Sequence, residues 1–238
     1  MTAEQEFLGA YSPEPFDRPS IAVDVALVTV INGELGILLV QRRQHPHLGK
    51  WQLPGGFVRI GESLDDAAAR VLDEKAGITN VYSEQLYTFG EVERDPRTRV
   101  ITVAYYALVE GARLTTRNVG AQLARIDVPW EGETGGAVKT RVDSRHLATA
   151  FDHDRIIGIA VKRLRGKLNY APVGYELLPT EFTLLDLQRI HEAILGVSVN
   201  KDSFRRRMLA SGELVSTGNR QTDVGHRPAA LYRHKTID

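Results

Sequence analysis

One short segment constrains this chain more than its composition does. Leu53-Pro54-Gly55-Gly56 reads as a tight turn, and Glu62 and Arg70 follow Gly56 at fixed offsets. Ser63, with Asp66 three residues on, has the form of a helix N-cap and capping box. Leu64, Ala67, Ala68, Val71, Leu72 and Ala76 then recur at helical spacing, and Gly77 closes the helix. Such a helix needs a surface for its apolar face, and the flanking sequence supplies strands. Ala22 to Ile31 and Glu34 to Val40 are apolar runs around Asn32-Gly33, the strongest two-residue hairpin signal. From Tyr82 to Val109 two further strand-like runs flank Asp95-Pro96.

Beyond Val109 the pattern weakens. Gly111 to Arg145 carries few apolar residues and several glycines, so a long loop is expected there. Asp152 is placed to cap a helix over His153–Lys167. A second pattern starts near Ala171-Pro172. Thr183 caps a helix from Leu184 to Leu195 closed by Gly196, and Asn200 caps another from Lys201 to Ala210 with Gly212 beyond it. Val215 to Arg220 and Ala229 to Arg233 then flank a Gly/Arg/His-rich loop. Helix, short turn, helix and hairpin is the order of a winged helix-turn-helix. Two domains are expected, 1–170 and 171–238, with 1–19 as a flexible arm. No internal repeat is present.

Charge separates the two halves. Lys and Arg together match Asp and Glu, 30 against 30, so the chain is neutral. Between Asn200 and Lys235, however, eight basic residues face three acids. A basic end on a neutral protein points to an acidic partner for that end. The chain has no cysteine, which removes disulfides and thiolate metal sites and fits a reducing, cytoplasmic setting. The start, Met1 to Pro19, is polar and acidic, unlike a signal peptide. No apolar run approaches the ~20 residues of a membrane span.

Gly56, Glu62 and Arg70, with Leu72, Glu74, Gly77 and Ile78, resemble the Nudix box, G-x5-E-x7-R-E-U-x-E-E-x-G-U with U aliphatic. The resemblance implies a mixed sheet between helices and a site for nucleoside diphosphates linked to another group. The box is degenerate here. Val71 and Lys75 stand where two glutamates are expected, leaving Glu62 and Glu74. Paired carboxylates on one helix face hold Mg²⁺, and two of three helix carboxylates are missing. The reading is a Nudix fold that keeps its pocket without efficient hydrolysis. Mg²⁺ and other cofactors are not required.

Both halves together resemble the NrtR family of Nudix-related repressors. Leu53–Phe57, Ala150–His153, Tyr175–Pro179, the two C-terminal helices and Gly225–Arg233 carry that resemblance. It implies an α+β chain, a Nudix-like α/β/α sandwich followed by a winged helix. It also implies a homodimer on a palindromic DNA operator of NAD biosynthesis or salvage genes, released by ADP-ribose or a related NAD-derived effector.

Candidate residues follow from chemistry. Arginine forks onto phosphate, which nominates Arg42 and Arg99, with Arg43 and Arg59 behind them. A retained pocket adds Gly55, Gly56, Phe57, Glu62 and Glu74. One of Tyr105 and Tyr106 is expected to face a pocket and stack on adenine. On the helix after Asn200, Phe204, Met208 and Leu209 form an apolar back, while Ser203, Arg206 and Arg207 face away. Residues at a recognition-helix start reach bases first, which nominates Asn200, Lys201, Ser203, Arg206 and Arg207. Arg220 and Arg227 of the wing are placed for phosphate or the minor groove. His45 and His47 read as a loop pair, Asp152-His153-Asp154 as a helix start, and Trp51 as structural. Two other readings stand beside this one. An active ADP-ribose or nucleotide pyrophosphatase draws on Glu62, Glu74, Glu91 and Glu93. An RNA-binding adaptor lacks a visible stacking platform.

Overall fold

The structure is a computed structural model that describes residues 2–11, 17–114, 120–222, 225 and 227–235. The Asn32-Gly33 hairpin forms as expected. Asn32 and Gly33 both take positive φ, 49° and 80°, the backbone a tight hairpin of this twist requires. They join β1 (Ser20–Ile31) to β2 (Glu34–Gln41). The short strands β3 (Trp51–Gln52) and β4 (Gly55–Phe57) return along β2 and β1. β5 (Tyr82–Phe89) and β6 (Val100–Leu108) are the two runs around Asp95-Pro96. β6 lies parallel to β1, and the other strand-to-strand ladders among the described residues are antiparallel.

The region expected to be loop holds strands as well. β7 (Ala121–Asp127), β8 (Lys139–Val142) and β9 (Arg145–Leu147) extend the sheet to the order β5-β6-β1-β2-β7-β8-β9. Six of the eleven β7 and β8 side chains are polar because these strands are only partly covered, which hid their alternation. Loop character survives between the strands, at 128–138.

Both faces of β1 are apolar, as in a sheet sandwiched between helices. Val23, Val25 and Leu27 pack with Ala67, Ala68, Val71 and Leu72 of α2 (Leu64–Ala76). Ala26 and Val28 pack on the opposite side with Ile156, Ile157, Ala160 and Leu164 of α3 (His153–Lys167). Ser63 caps α2 by accepting from the Asp66 N–H, and Gly77 ends it in the left-handed conformation. The reciprocal half of the expected capping box does not form, since Asp66 instead accepts the Ser63 hydroxyl at 2.7 Å.

After a 3₁₀ stretch, Pro172–Leu177, come α4 (Leu184–Leu195), α5 (Lys201–Ala210) and the hairpin β10 (Leu214–Arg220) and β11 (Ala230–His234). Thr183 and Asp186 build a full capping box on α4. Asn200 caps α5 by accepting from the Ser203 N–H. Leu184 and Leu187 of α4 pack on Phe182, Phe204 and Met208 in a small separate core. Ile190 and Ile194, on the other side of the same helix, belong to the core beneath α3. The amino-terminal arm contains a helix, α1 (Ala3–Ala10), that begins with a Thr2–Gln5 capping box and buries none of its residues.

Candidate functional site

A crevice of about 180 Å³ opens at the end of the sheet where β1, β4 and the start of α3 meet. Its wall is built around Arg94. That guanidinium donates to both oxygens of Asp152 at 2.7 and 3.1 Å and stands 3.6 Å from Asp24. All three side chains are largely buried. Asp152 therefore does not cap α3 as expected; its carboxylate is taken by Arg94. His153, the first residue of α3, accepts from the Leu53 N–H at 2.8 Å through Nδ1. Its proton therefore belongs on Nε2, which lies 3.6 Å from Asp24. Burial holds its pKa below the usual value. Gly55 is required beside this cluster, because a Cβ there would lie 2.2 Å from an Asp24 oxygen.

The mouth is cationic and aromatic. Arg42 donates to the Pro46 carbonyl at 2.7 Å and to Gln52, and sits 4.7 Å over the Phe151 ring. Arg97 forks onto Asp95 at 2.7 and 3.0 Å and lies near the rings of Phe57 and Phe151. Asp95 is held below the usual carboxylate range chiefly by that bond. Phe151 has φ of 52°, a strained conformation for a residue with a bulky side chain. The strain projects its ring between the two arginines.

Of the nominated ligand residues, Arg42, Gly55, Gly56 and Phe57 line this crevice. Glu62, Glu74 and Arg99 do not. Glu62 accepts from Arg70 at 2.6 and 2.9 Å and from the Arg59 N–H at 2.7 Å, which lowers its pKa to about 2. Glu74 pairs with Arg59 at 3.2 Å and Arg70 at 3.4 Å. Arg99 donates to the Glu91 carbonyl. Tyr105 and Tyr106 are both buried, and their hydroxyls bond Asp65 and Glu84; neither ring faces the crevice. Phe57 and Phe151 are the aromatic rings there. Asp24, Arg94, Asp95, Arg97, Phe151 and His153 were not nominated. The dense charge of Glu93-Arg94-Asp95-Pro96-Arg97 in a turn was a usable signal for three of them.

The second surface lies on α4, α5 and the hairpin. Phe204 and Met208 are the buried residues of α5; Leu209, assigned to its apolar back, is exposed. One flank of α5 presents Lys201 and Arg205 to a groove of about 760 Å³. Gln188 and Arg189 of α4 and Arg220, Gln221 and Arg227 of the hairpin line the same groove. Arg205, Gln188, Arg189 and Gln221 were not nominated. Ser203 and Arg206 are exposed on α5. Asn200 is occupied as a cap. Arg207 turns the other way: its guanidinium lies 5.5 Å from the Phe204 ring and lines a hollow with His191 and Tyr175. Asp223, Val224 and His226 of the expected wing loop lie outside the described residues.

Among the described residues no three His, Cys, Asp or Glu side chains stand together to hold a metal ion, and no helix is long and apolar enough to cross a membrane.

A family model described as a NUDIX domain matches residues 21–127, and one described as the NrtR DNA-binding winged helix domain matches residues 174–234. The ADPR responsive transcriptional repressor NtrR of Acinetobacter baylyi is 38% identical over 239 residues, spanning 100% of this chain and 90% of that protein. The crystal structure of Shewanella oneidensis NrtR complexed with a 27mer DNA is similar with a TM-score of 0.75 at 36% identity, over 90% of this chain and 93% of that one. The NUDIX domain of the same NrtR complexed with ADP ribose is similar with a TM-score of 0.53 at 32% identity, over 68% of this chain and 99% of that one.

Proposed function

The chain belongs to the NrtR family, and from that premise we propose that it is a transcriptional repressor whose DNA binding is relieved by ADP-ribose or a close NAD-derived relative. The observation that carries this reading is the composition of the crevice. It offers arginines and aromatic rings for a diphosphate-linked nucleoside, and the two carboxylates that line it, Asp24 and Asp95, already face Arg94 and Arg97. Arg42 and Arg97 suit the diphosphate, since a guanidinium forks onto phosphate oxygens. Phe57 and Phe151 suit a stacked adenine. The enclosed volume is below the roughly 300–1,000 Å³ of ordinary small-molecule pockets, so such a ligand lies partly across this rim.

The donor set does not fit a Mg²⁺ cluster. Glu62 and Glu74 are already paired with arginines. Val71 is buried in the core beneath α2, and Lys75 brings a positive charge. We therefore read the protein as a sensor that holds the diphosphate intact, with no metal required.

The operator side uses the exposed face of α5 together with the groove between α5 and the hairpin. Arg206 and Ser203 read base edges, while Lys201, Arg205, Arg220 and Arg227 meet phosphates. Two copies of the chain on a pseudo-palindromic site of NAD biosynthesis or salvage genes, in the cytoplasm, complete the reading. Half-sites one helical turn apart place the two recognition helices about 34–36 Å apart. The ligand relieves repression only through its preference for a conformation that breaks this match.

Calorimetric titration of the full chain with ADP-ribose, with Mg²⁺ and again with EDTA, tests the sensor. Saturable binding that EDTA leaves unchanged, with the ligand recovered intact, is expected. Turnover at ordinary enzyme rates, about 1 s⁻¹ or more, would return the chain to the pyrophosphatase reading.

A further inference from the structure

Helix α3 runs from the crevice to the last turn of α4. Asp152 and His153 at its start belong to the crevice cluster. Near its other end Arg165 is buried, with 5% of its surface exposed. Its Nε donates to the Ile194 carbonyl at 2.9 Å. Its Nη1 donates to the carbonyls of Trp130 and Gly132 at 3.2 and 2.9 Å. The guanidinium lies 4.8 Å from the centre of the Trp130 ring. No ion pair with a carboxylate is formed among the described residues, and burial draws its pKa below the usual arginine value.

A buried cation without a counter-ion is costly, and an apolar residue would fill the space at less expense. What arginine adds is geometry. Its donors are fixed in one plane, and here they tie two separate segments together. Trp130 and Gly132 belong to the 128–138 connection between β7 and β8. Ile194 belongs to the last turn of α4, where carbonyls lack helical partners and the dipole attracts a cation. The connection is itself seated on α3. A Cβ on Gly158 would come 1.8 Å from the Gly136 carbonyl oxygen, and one on Gly166 would come 2.9 Å from the Glu133 carboxylate. Helix and connection therefore move together, and the end of α4 is referenced to them through one side chain.

We propose that Arg165 is a positioning residue that sets the tilt of α4, and with it α5, on the ligand-binding domain. This deepens the repressor reading and rests on it for the ligand's identity. At about 1.5 Å per residue, α3 carries a displacement at Asp152 and His153 some 20 Å to Arg165. Lysine offers a single mobile point charge and cannot hold three carbonyls in register.

The cysteine-free chain makes the test clean. Tyr87→Cys and Leu209→Cys place spin labels at two exposed positions, one on β5 and one on α5. Full-length labelled protein is diluted with unlabelled chain, and the distance distribution is measured by pulsed electron resonance. The parent is expected to give one narrow distribution. Arg165→Lys is expected to broaden it at least about twofold while affinity for ADP-ribose stays near the parent value. Trp130→Phe, which keeps all three carbonyls, retains the narrow form. Should Arg165→Lys lose its cooperative melt, Arg165→Met, which keeps the packed stem, carries the same comparison. A folded Arg165 variant with the parent's mean and width would overturn the proposal. The distances need neither DNA nor ligand, so a parent whose DNA binding ignores ADP-ribose fails the repressor reading separately. Where the parent does respond, the ligand-induced loss of DNA affinity is expected to shrink by about tenfold in Arg165→Lys, within the usual range of coupling between sites.

Discussion

At the scale of single residues, the crevice is held by buried, paired side chains. Arg94 stands between Asp24 and Asp152 with 4% of its side chain exposed. Removing it leaves two carboxylates without their shared cation, and Arg94→Ala is expected to cost about 3–5 kcal/mol in denaturant unfolding. Phe151→Gly should behave oppositely. It releases the strained backbone and deletes the ring, so stability is expected to hold within about 1 kcal/mol while ADP-ribose affinity drops; calorimetry beside a thermal melt separates the two. Val71→Glu inserts a carboxylate beside Val23 and Leu27, and is expected to cost about 2 kcal/mol or more without producing turnover. The sequence made Gly55, Gly56 and Phe57 legible through one local motif, and arginine chemistry made Arg42 legible. Arg94, Arg97, Phe151 and His153 escaped because the sheet gathers them from distant segments, and no periodicity records that. Arg207 lies toward the Phe204 ring and away from the groove, a difference of one helical step that the sequence does not display.

At the scale of elements, α3 is attached to β5 by a polar cluster as well as by its apolar face. Glu84 accepts from Lys167, from Tyr82 and Tyr106, and from Arg163 at 3.0 Å. Burial pushes its pKa up, but the bonds from Lys167, Tyr82 and Tyr106 outweigh burial and hold it at about 2, against the ordinary 4.5. A carboxyl with a depressed folded pKa contributes fully above its unfolded value and loses that contribution as pH falls toward the folded one. Stability is therefore expected to decline between about pH 5 and pH 2, and Glu84→Gln should flatten that part of the melting profile. Capped helices and the Asn-Gly hairpin were readable because their signals are local. β7 and β8 were not, since Arg125, Asp127, Lys139 and Arg141 share one partly covered polar face and the opposite apolar face is short. Asp152 looked like a cap because a carboxylate at a helix start serves equally as an ion-pair partner, and only the fold brings Arg94 to it.

At the scale of the whole molecule, α4 belongs to both halves. Its Ile190 and Ile194 complete the core beneath α3, and its Leu184 and Leu187 complete the core of the winged helix. The order of two domains was legible; the sharing of one helix between two cores was not, because an amphipathic stripe does not name its partner. In the proposed repressor this sharing is the route by which a change at the crevice reaches α5. On the DNA side, Arg206→Ala is expected to lose about 1–3 kcal/mol for the operator and to relax discrimination at one base pair. Arg220→Ala should instead weaken all duplexes alike and reduce the salt slope by about one. In the proposed repressor, one small molecule in the crevice governs this surface. Fluorescence anisotropy of the full chain with duplex from its own upstream region, against scrambled duplex at fixed salt, tests it most directly. Tight, sequence-dependent binding that weakens as ADP-ribose is added is the expected result. Sequence-blind binding, or specific binding that ADP-ribose leaves untouched, would contradict it.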